Sequence, residues 1–328
     1  MPVLSPSAYD PGFFLTNGHL QTVYPVLFRP MPPTRPRRER IETPDGDFID
    51  LDWHARDPET TGGHRLAVVL HGLEGHSRRK YVAGMARALT SRGWDVAALN
   101  FRGCGDGGMN RHLSFYHSGF TEDLHTVLGH ALDRFPAAEA ALIGFSIGGN
   151  KVLKYLGEDP DRVPRQVKAA VAVSVPCDLA ACSDVLGQPG NRLYETYFLR
   201  SLRAKIRAKH AEVGHRLDVR GLEHIRTLRA FDDRYTAPMF GFGDALDYYR
   251  RASCGPHLAT IRVPALILNA ADDPFLSPGC YPRATAEANR HLCLEIPRTG
   301  GHVGFVVRGG GNEYFSETRA AAFLNDTW

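Results

Sequence analysis

Six short, continuous apolar runs punctuate the chain: residues 66–70 (Leu66-Ala67-Val68-Val69-Leu70), 96–99, 141–143, 169–175, 265–268 and 292–296. Runs of this kind suit strands buried on both faces of a parallel sheet. Between them the apolar spacing turns helical, near 80–92, 121–135 and 149–156, with a closing amphipathic helix near 314–324. The alternation predicts an α/β protein whose mostly parallel central sheet is flanked by helices. Ahead of it, residues 41–54 alternate around Pro44-Asp45-Gly46, which predicts an antiparallel opening hairpin. The first 40 residues are Pro-rich and read as an irregular N-terminal arm. Between Pro176 and Ile261 the alternation stops in favour of a helix-rich, aromatic and basic segment. The domain reading is therefore an arm at 1–40, a core at 41–176 and 262–328, and a helical cap or lid inserted at 177–261.

Composition narrows the function classes. The chain has 328 residues, 43% hydrophobic and 23% charged, which is ordinary for a globular protein and excludes a disordered one. A balance of 39 basic to 36 acidic side chains, well dispersed, gives no reason to expect nucleic acid as a partner. Six cysteines without any C-x-x-C read as reduced thiols. With no signal-peptide pattern and no apolar run long enough to span a bilayer, a cytoplasmic protein is expected.

The most informative stretch is Gly144-Phe145-Ser146-Ile147-Gly148, a G-x-S-x-G set between an expected strand and an expected helix. A sharp turn there exposes Ser146 Oγ, and glycines let strand and helix approach closely. A serine needs a base, and the base a carboxylate, in the order Ser, Asp, His. After the run at 265–268 come Asp272 and Asp273; after the run at 292–296 comes Gly300-Gly301-His302-Val303-Gly304-Phe305. His302 is the expected general base. Asp273 is preferred to Asp272 because it directly precedes the turn residue Pro274, although a one-residue shift would exchange them. The expected oxyanion donors are the amides of Ile147, after the nucleophile, and Leu73, in His71-Gly72-Leu73-Glu74-Gly75. Phe145 and Phe305, beside these loops, are expected to line an apolar acyl pocket.

Competing motifs fail on context. Gly103 to Gly108 satisfies G-x-G-x-x-G, yet no apolar helix opens after it and no acidic residue ends a following strand, so a turn positioning Arg102 is the better reading. The phosphate-loop pattern at Gly144 to Lys151 is incomplete. The pairs His112 with His117 and His210 with His215 lack the facing and the third ligand of a metal site. Residues 192–229 carry an excess of Arg and Lys, with Leu193, Tyr197, Phe198, Leu202 and Ile206 at helical spacing; this reads as a solvated helix face, with peripheral contact to anionic lipid as the alternative.

With these motifs assembled, together with Asn17-Gly18-His19-Leu20-Gln21-Thr22 ahead of them and Asn100-Phe101-Arg102-Gly103-Cys104 among them, all in family order, the chain resembles the α/β-hydrolase superfamily, in its YheT-like branch related to the animal ABHD lipases and esterases. The resemblance covers nearly the whole length. It implies an α/β-hydrolase fold, a Ser146, Asp273, His302 triad, and hydrolysis of short-chain acyl esters or monoacylglycerol-like lipids without a cofactor. None of the 15 histidines has an aspartate five positions on. The H-x4-D acyltransferase pattern of some relatives is therefore absent, and hydrolysis is preferred to acyl transfer. Other chemistries open to the same triad are thioester or amide hydrolysis; a different class again is a binding protein with a retired site.

Overall fold

The computed structural model describes residues 3–4, 7–12, 15–57, 63–307 and 312–327. In chain order the elements are β1 (Val3–Leu4), α1 (Gly18–Phe28), β2 (Arg37–Glu42), β3 (Phe48–His54), β4 (Arg65–Leu70), α2 (Lys80–Thr90), β5 (Trp94–Asn100), α3 (Glu122–Arg134), β6 (Glu139–Phe145), α4 (Ile147–Glu158) and β7 (Val167–Val173). Five helices then intervene: α5 (Leu179–Leu186), α6 (Arg192–Val213), α7 (Leu228–Phe231), α8 (Ala237–Met239) and α9 (Ala245–Ala252). The alternation resumes with β8 (Ala265–Leu268), α10 (Arg283–Ala288), β9 (Leu292–Glu295) and α11 (Phe315–Thr327).

Among the described residues the strands form one nine-stranded sheet, ordered β1-β9-β8-β7-β6-β4-β5-β3-β2. The β2/β3 and β3/β5 pairs are antiparallel and the others parallel. Strand alternation divides the core in two. Leu66, Val68 and Leu70 point with Leu142 towards α3 and α4, whereas Ala67 and Val69 point with Ile143 towards α2 and α11. The sheet is thus covered on both faces, and its parallel strands direct their carboxyl ends to one edge, where open α/β sheets gather their ligands.

The N-terminal segment is more ordered than its prolines suggest. β2 begins at Arg37, inside the stretch read as arm, because Arg38 and Arg40 stand opposite Asp52 and Asp50 on β3 and pair with them. α1 is a true helix, its Asn17 side chain accepting from the amides of His19 and Leu20. What holds α1 is tertiary: Gln21 is buried and bonds Leu15 O, Tyr9 OH and the amide of Val306, while Arg29 pairs with Glu317 on α11 at 2.6 Å. The expectation of an irregular arm is corrected accordingly. No helix of the described residues is long and apolar enough to cross a membrane.

Candidate active site

β6 runs into α4 through Ser146, whose backbone sits at φ 55°, ψ −124°. A non-glycine residue in that region costs on the order of 1–3 kcal/mol, so the surroundings must impose it. They do: the Ser146 amide donates to Val173 O at 2.8 Å, and its carbonyl accepts from Asn150 N at 3.0 Å. Glycines make the turn possible by close approach. A Cβ on Gly144 would stand 2.3 Å from Gly148 O, and one on Gly148 2.5 Å from His71 O.

The loops after β8 and β9 meet at this turn. His302 Nε2 lies 3.0 Å from Ser146 Oγ, and its Nδ1 lies 2.9 and 3.1 Å from the two oxygens of Asp273. The Asp273 side chain is fully buried and also accepts from the Phe275 amide at 2.9 Å. A carboxylate only accepts, so its partner Nδ1 carries the proton and Nε2 is left to accept from the serine hydroxyl. Asp272 turns away from the imidazole and accepts from the Gly301 amide at 2.9 Å, with burial pushing its carboxyl above the usual range. The structure therefore brings Ser146, Asp273 and His302 together and gives Asp272 to the loop that carries the histidine.

The His302 loop is tightly wound, with Gly301, Val303 and Phe305 all at positive φ. It is pinned from outside its own strand pair. The His302 amide donates to Thr22 Oγ1 of α1 at 2.8 Å, the Val303 amide donates to Ser174 Oγ at 2.9 Å, and Phe275 lies with its ring centroid 4.2 Å from the imidazole. A Cβ on Gly301 would meet Gly18 O at 2.3 Å. The arm motif containing Thr22 was visible in the sequence only as part of a resemblance; nothing in its spacing announced this contact.

Across the site, the loop after β4 turns its amides in sequence. Gly72 N donates to Tyr81 OH and Glu74 N to Tyr116 OH, both at 3.0 Å. The amide of Leu73, between them, has no protein acceptor among the described residues. His71 braces this arrangement: its Nδ1 is 2.7 Å from Gly72 O, and its Nε2 accepts from Phe101 N at 3.1 Å. Complete burial pushes its pKa well below the ordinary value, so it is a neutral imidazole donating to the Gly72 carbonyl. The sequence placed His71 in the oxyanion loop without a role of its own. Glu74, itself at φ 52°, accepts from Tyr116 OH at 2.8 Å and pairs with Lys205 of α6 at 2.5 Å, tying the inserted helices to this loop.

Ser146, His302, Leu73 and Ile147 share one cavity of about 120 Å³, walled by α5 through α9 with residues such as Leu179, Phe198, Leu202, Ile206, Leu228 and Phe231. Ile147 begins α4, where helix amides lack internal acceptors and favour negative charge. Phe145 and Phe305 do not line the cavity. Both are wholly buried with Ile143 on the α2/α11 side of the sheet, Phe145 against Tyr81 and Phe305 against Tyr9. The apolar residues of α6 divide between two sides: Phe198, Leu202 and Ile206 face the cavity, and Leu193 and Tyr197 face solvent. Gly103, Gly105 and Gly108 form a turn at positive φ, and neighbouring Arg102 pairs with Asp123 and Asp45 at 2.7 and 2.6 Å. Among the described residues no three His, Cys, Asp or Glu side chains converge as metal ligands would.

Known proteins resemble this chain along most of its length. The profile of the alpha/beta hydrolase fold family matches residues 68–308. YheT of Escherichia coli (strain K12) is 39% identical over 293 residues, covering 89% of this chain and 85% of the relative. Phospholipase ABHD3 of Homo sapiens is 32% identical over 310 residues, covering 93% and 75% respectively. Monoacylglycerol lipase of Saccharomyces cerevisiae is 31% identical over 260 residues, covering 77% of this chain and 57% of that protein. Among solved structures, the Pyrococcus furiosus esterase Pf2001 superposes with a TM-score of 0.59 over 89% of this chain and 93% of that one; at 16% identity it speaks for the fold alone. The chain belongs to the α/β-hydrolase family, in the branch that contains YheT and the ABHD3 phospholipases.

Proposed function

We propose that the protein is a serine carboxylic-ester hydrolase that works through an acyl-enzyme on Ser146. The observation that carries this reading is the unbroken relay from Asp273 through His302 to Ser146 Oγ, at 2.9 and 3.0 Å, on a strained elbow. Ser146 Oγ attacks the ester carbonyl while His302 Nε2 takes its proton and passes it to the departing alcohol. Water, deprotonated by the same imidazole, then attacks the acyl-enzyme; the bond to Ser146 Oγ breaks, the acid leaves, and His302 returns the proton to Oγ. Asp273 holds the imidazole in the required tautomer. The amides of Leu73 and Ile147 receive the oxyanion of each tetrahedral intermediate.

Short-chain acyl esters or monoacylglycerol-like lipids are the substrate class that suits the cavity. Its lining is dominated by leucine and aromatic side chains, and relatives carry the names phospholipase and monoacylglycerol lipase. Residues 177–261 act as a cap that roofs this acyl site. The test is hydrolysis of p-nitrophenyl esters from acetate to palmitate by wild type and Ser146→Ala. Turnover by wild type alone supports the reading, and the chain-length optimum sizes the acyl site. No turnover of any ester by a folded wild type that still takes up a fluorophosphonate would overturn ester hydrolysis and direct attention to thioesters and amides.

A further inference from the structure

Solvent-facing apolar side chains are concentrated on one side of the molecule. Of the ten most exposed large hydrophobic residues among those described, seven fall between Leu20 and Met31, on α1 or just past it, and two, Leu193 and Tyr197, on the first turns of α6; only Leu246 lies elsewhere. Val26, Leu27 and Phe28 are 64%, 63% and 66% exposed, and Leu193 85%. α1 therefore inverts the usual arrangement of a surface helix, burying Gly18 and Gln21 while presenting its larger apolar residues to solvent. An apolar concentration of this kind marks an interaction surface.

The two parts are one surface. His19 Nδ1 lies 3.1 Å from Tyr194 OH, Lys80 Nζ at the start of α2 donates to Val26 O at 2.7 Å, and Arg79 reaches Tyr197 OH at 3.2 Å. The exposed charge on these two segments is mainly cationic. From Pro11 to Arg38 the sequence holds four arginines and no acidic residue, and of these Arg29 and Arg38 pair with Glu317 and Asp52. Arg35 and Arg37 are exposed, and so are Arg192 and Arg200, the latter on the α6 face of Leu193 and Tyr197. The acidic residue nearest in that helix, Glu195, is buried and accepts from the Leu228 amide. An apolar centre with a cationic rim complements an anionic lipid surface. The surface also borders the site: α1 supplies Thr22 to the His302 amide, and Tyr194 packs at 4.8 Å on Phe275, which lies on the His302 ring.

We propose that α1 and the start of α6 form a membrane-docking face that seats the protein on an anionic lipid bilayer, bringing the His302 side of the site to the lipid. Docking itself does not depend on the proposed ester chemistry; only its use in hydrolysing lipid esters does. The test is co-sedimentation of the Ser146→Ala protein with phosphatidylcholine vesicles and with mixed phosphatidylcholine–phosphatidylglycerol vesicles, so that binding is read without turnover.

Partition to the mixed vesicles is expected to exceed that to phosphatidylcholine, to fall with added salt, and to drop roughly tenfold or more in Leu27→Ser/Phe28→Ser. Arg192→Glu/Arg200→Glu should lose the preference for the anionic lipid, and Leu246→Ser should match the parent. With Ser146 restored, the Leu27→Ser/Phe28→Ser protein should hydrolyse p-nitrophenyl acetate like wild type yet turn over vesicle-borne esters more slowly. The proposal is overturned if the parent does not bind mixed vesicles, or if it binds equally well after both pairs of substitutions. It is also overturned if ultracentrifugation shows a dimer that Leu27→Ser/Phe28→Ser dissolves while vesicle binding is absent, which would make the patch a contact between copies.

Discussion

The amide of His302 donates to the hydroxyl of Thr22, 280 residues earlier in the chain, at 2.8 Å. The general base in the proposed mechanism is thus positioned from two directions, by Asp273 at its ring and by α1 at its backbone. Thr22→Val keeps the shape and removes the acceptor. A neutral hydrogen bond contributes about 0.5–1.5 kcal/mol, so kcat should fall roughly two- to tenfold, with KM little changed and Thr22→Ser close to wild type. Steady-state kinetics on a soluble ester reads the split; a change confined to KM would contradict it.

Asp272 and Asp273 are adjacent and both acidic, but they hold different partners. Asp273→Asn would present the imidazole with a donor or the wrong tautomer, a change that in the serine-protease template lowers kcat about 10⁴-fold. Asp272→Asn keeps an oxygen for the Gly301 amide and should cost no more than about tenfold, comparable to weakening one hydrogen bond. Comparable losses in the two variants would show that the carboxylates share the role.

Two glycines separate packing from propensity. Gly148→Ala drives a Cβ to 2.5 Å from His71 O, between the elbow and the β4 loop, and should abolish activity together with a clear loss of melting temperature. Gly129, in α3, has nothing within 4 Å of an added Cβ. Gly129→Ala should therefore raise stability by about 0.5–1 kcal/mol through helix propensity. Thermal denaturation of both variants checks the contrast.

Lys151 is entirely buried behind the site, with Nζ 3.9 Å from the Phe101 ring centroid and no hydrogen-bond partner among the described residues. Burial pushes its amine down to about 8, with Asp123 acting in the opposite sense. Since the unfolded chain holds this proton up to about 10.5, folding forfeits about 3 kcal/mol below pH 8, and stability recovers as pH rises through that window. The ring contact offsets part of this. Lys151→Met should thus melt higher than wild type at pH 7, by about 1 kcal/mol, and the advantage should shrink towards pH 10. A variant less stable at pH 7 would contradict it.

Much of this was legible because the strongest signals are local. The six apolar runs became β4 to β9, and the G-x-S-x-G became a strand–turn–helix, since a buried parallel strand and a close-packed turn are each written in adjacent residues. α1 was not legible: Pro25 and the surrounding prolines argue against a helix, and the contacts that stabilise it, Gln21 with Val306 and Arg29 with Glu317, come from the far end of the chain. Phe145 was misread by proximity to Ser146. Strand alternation puts it with Ala141 and Ile143 on the face away from the cavity, whereas Leu142 faces the other way. The side of α6 that meets the cavity depended likewise on where the inserted helices pack, which helical spacing alone does not specify.

In the proposed mechanism Ser146 is a nucleophile activated by His302. Intact-protein and peptide mass spectrometry after treatment with a fluorophosphonate tests it most directly. A single adduct is expected, on Ser146, formed far more slowly in His302→Ala and absent in Ser146→Ala. A folded wild type that takes up no label, or one labelled at a different residue, would contradict it.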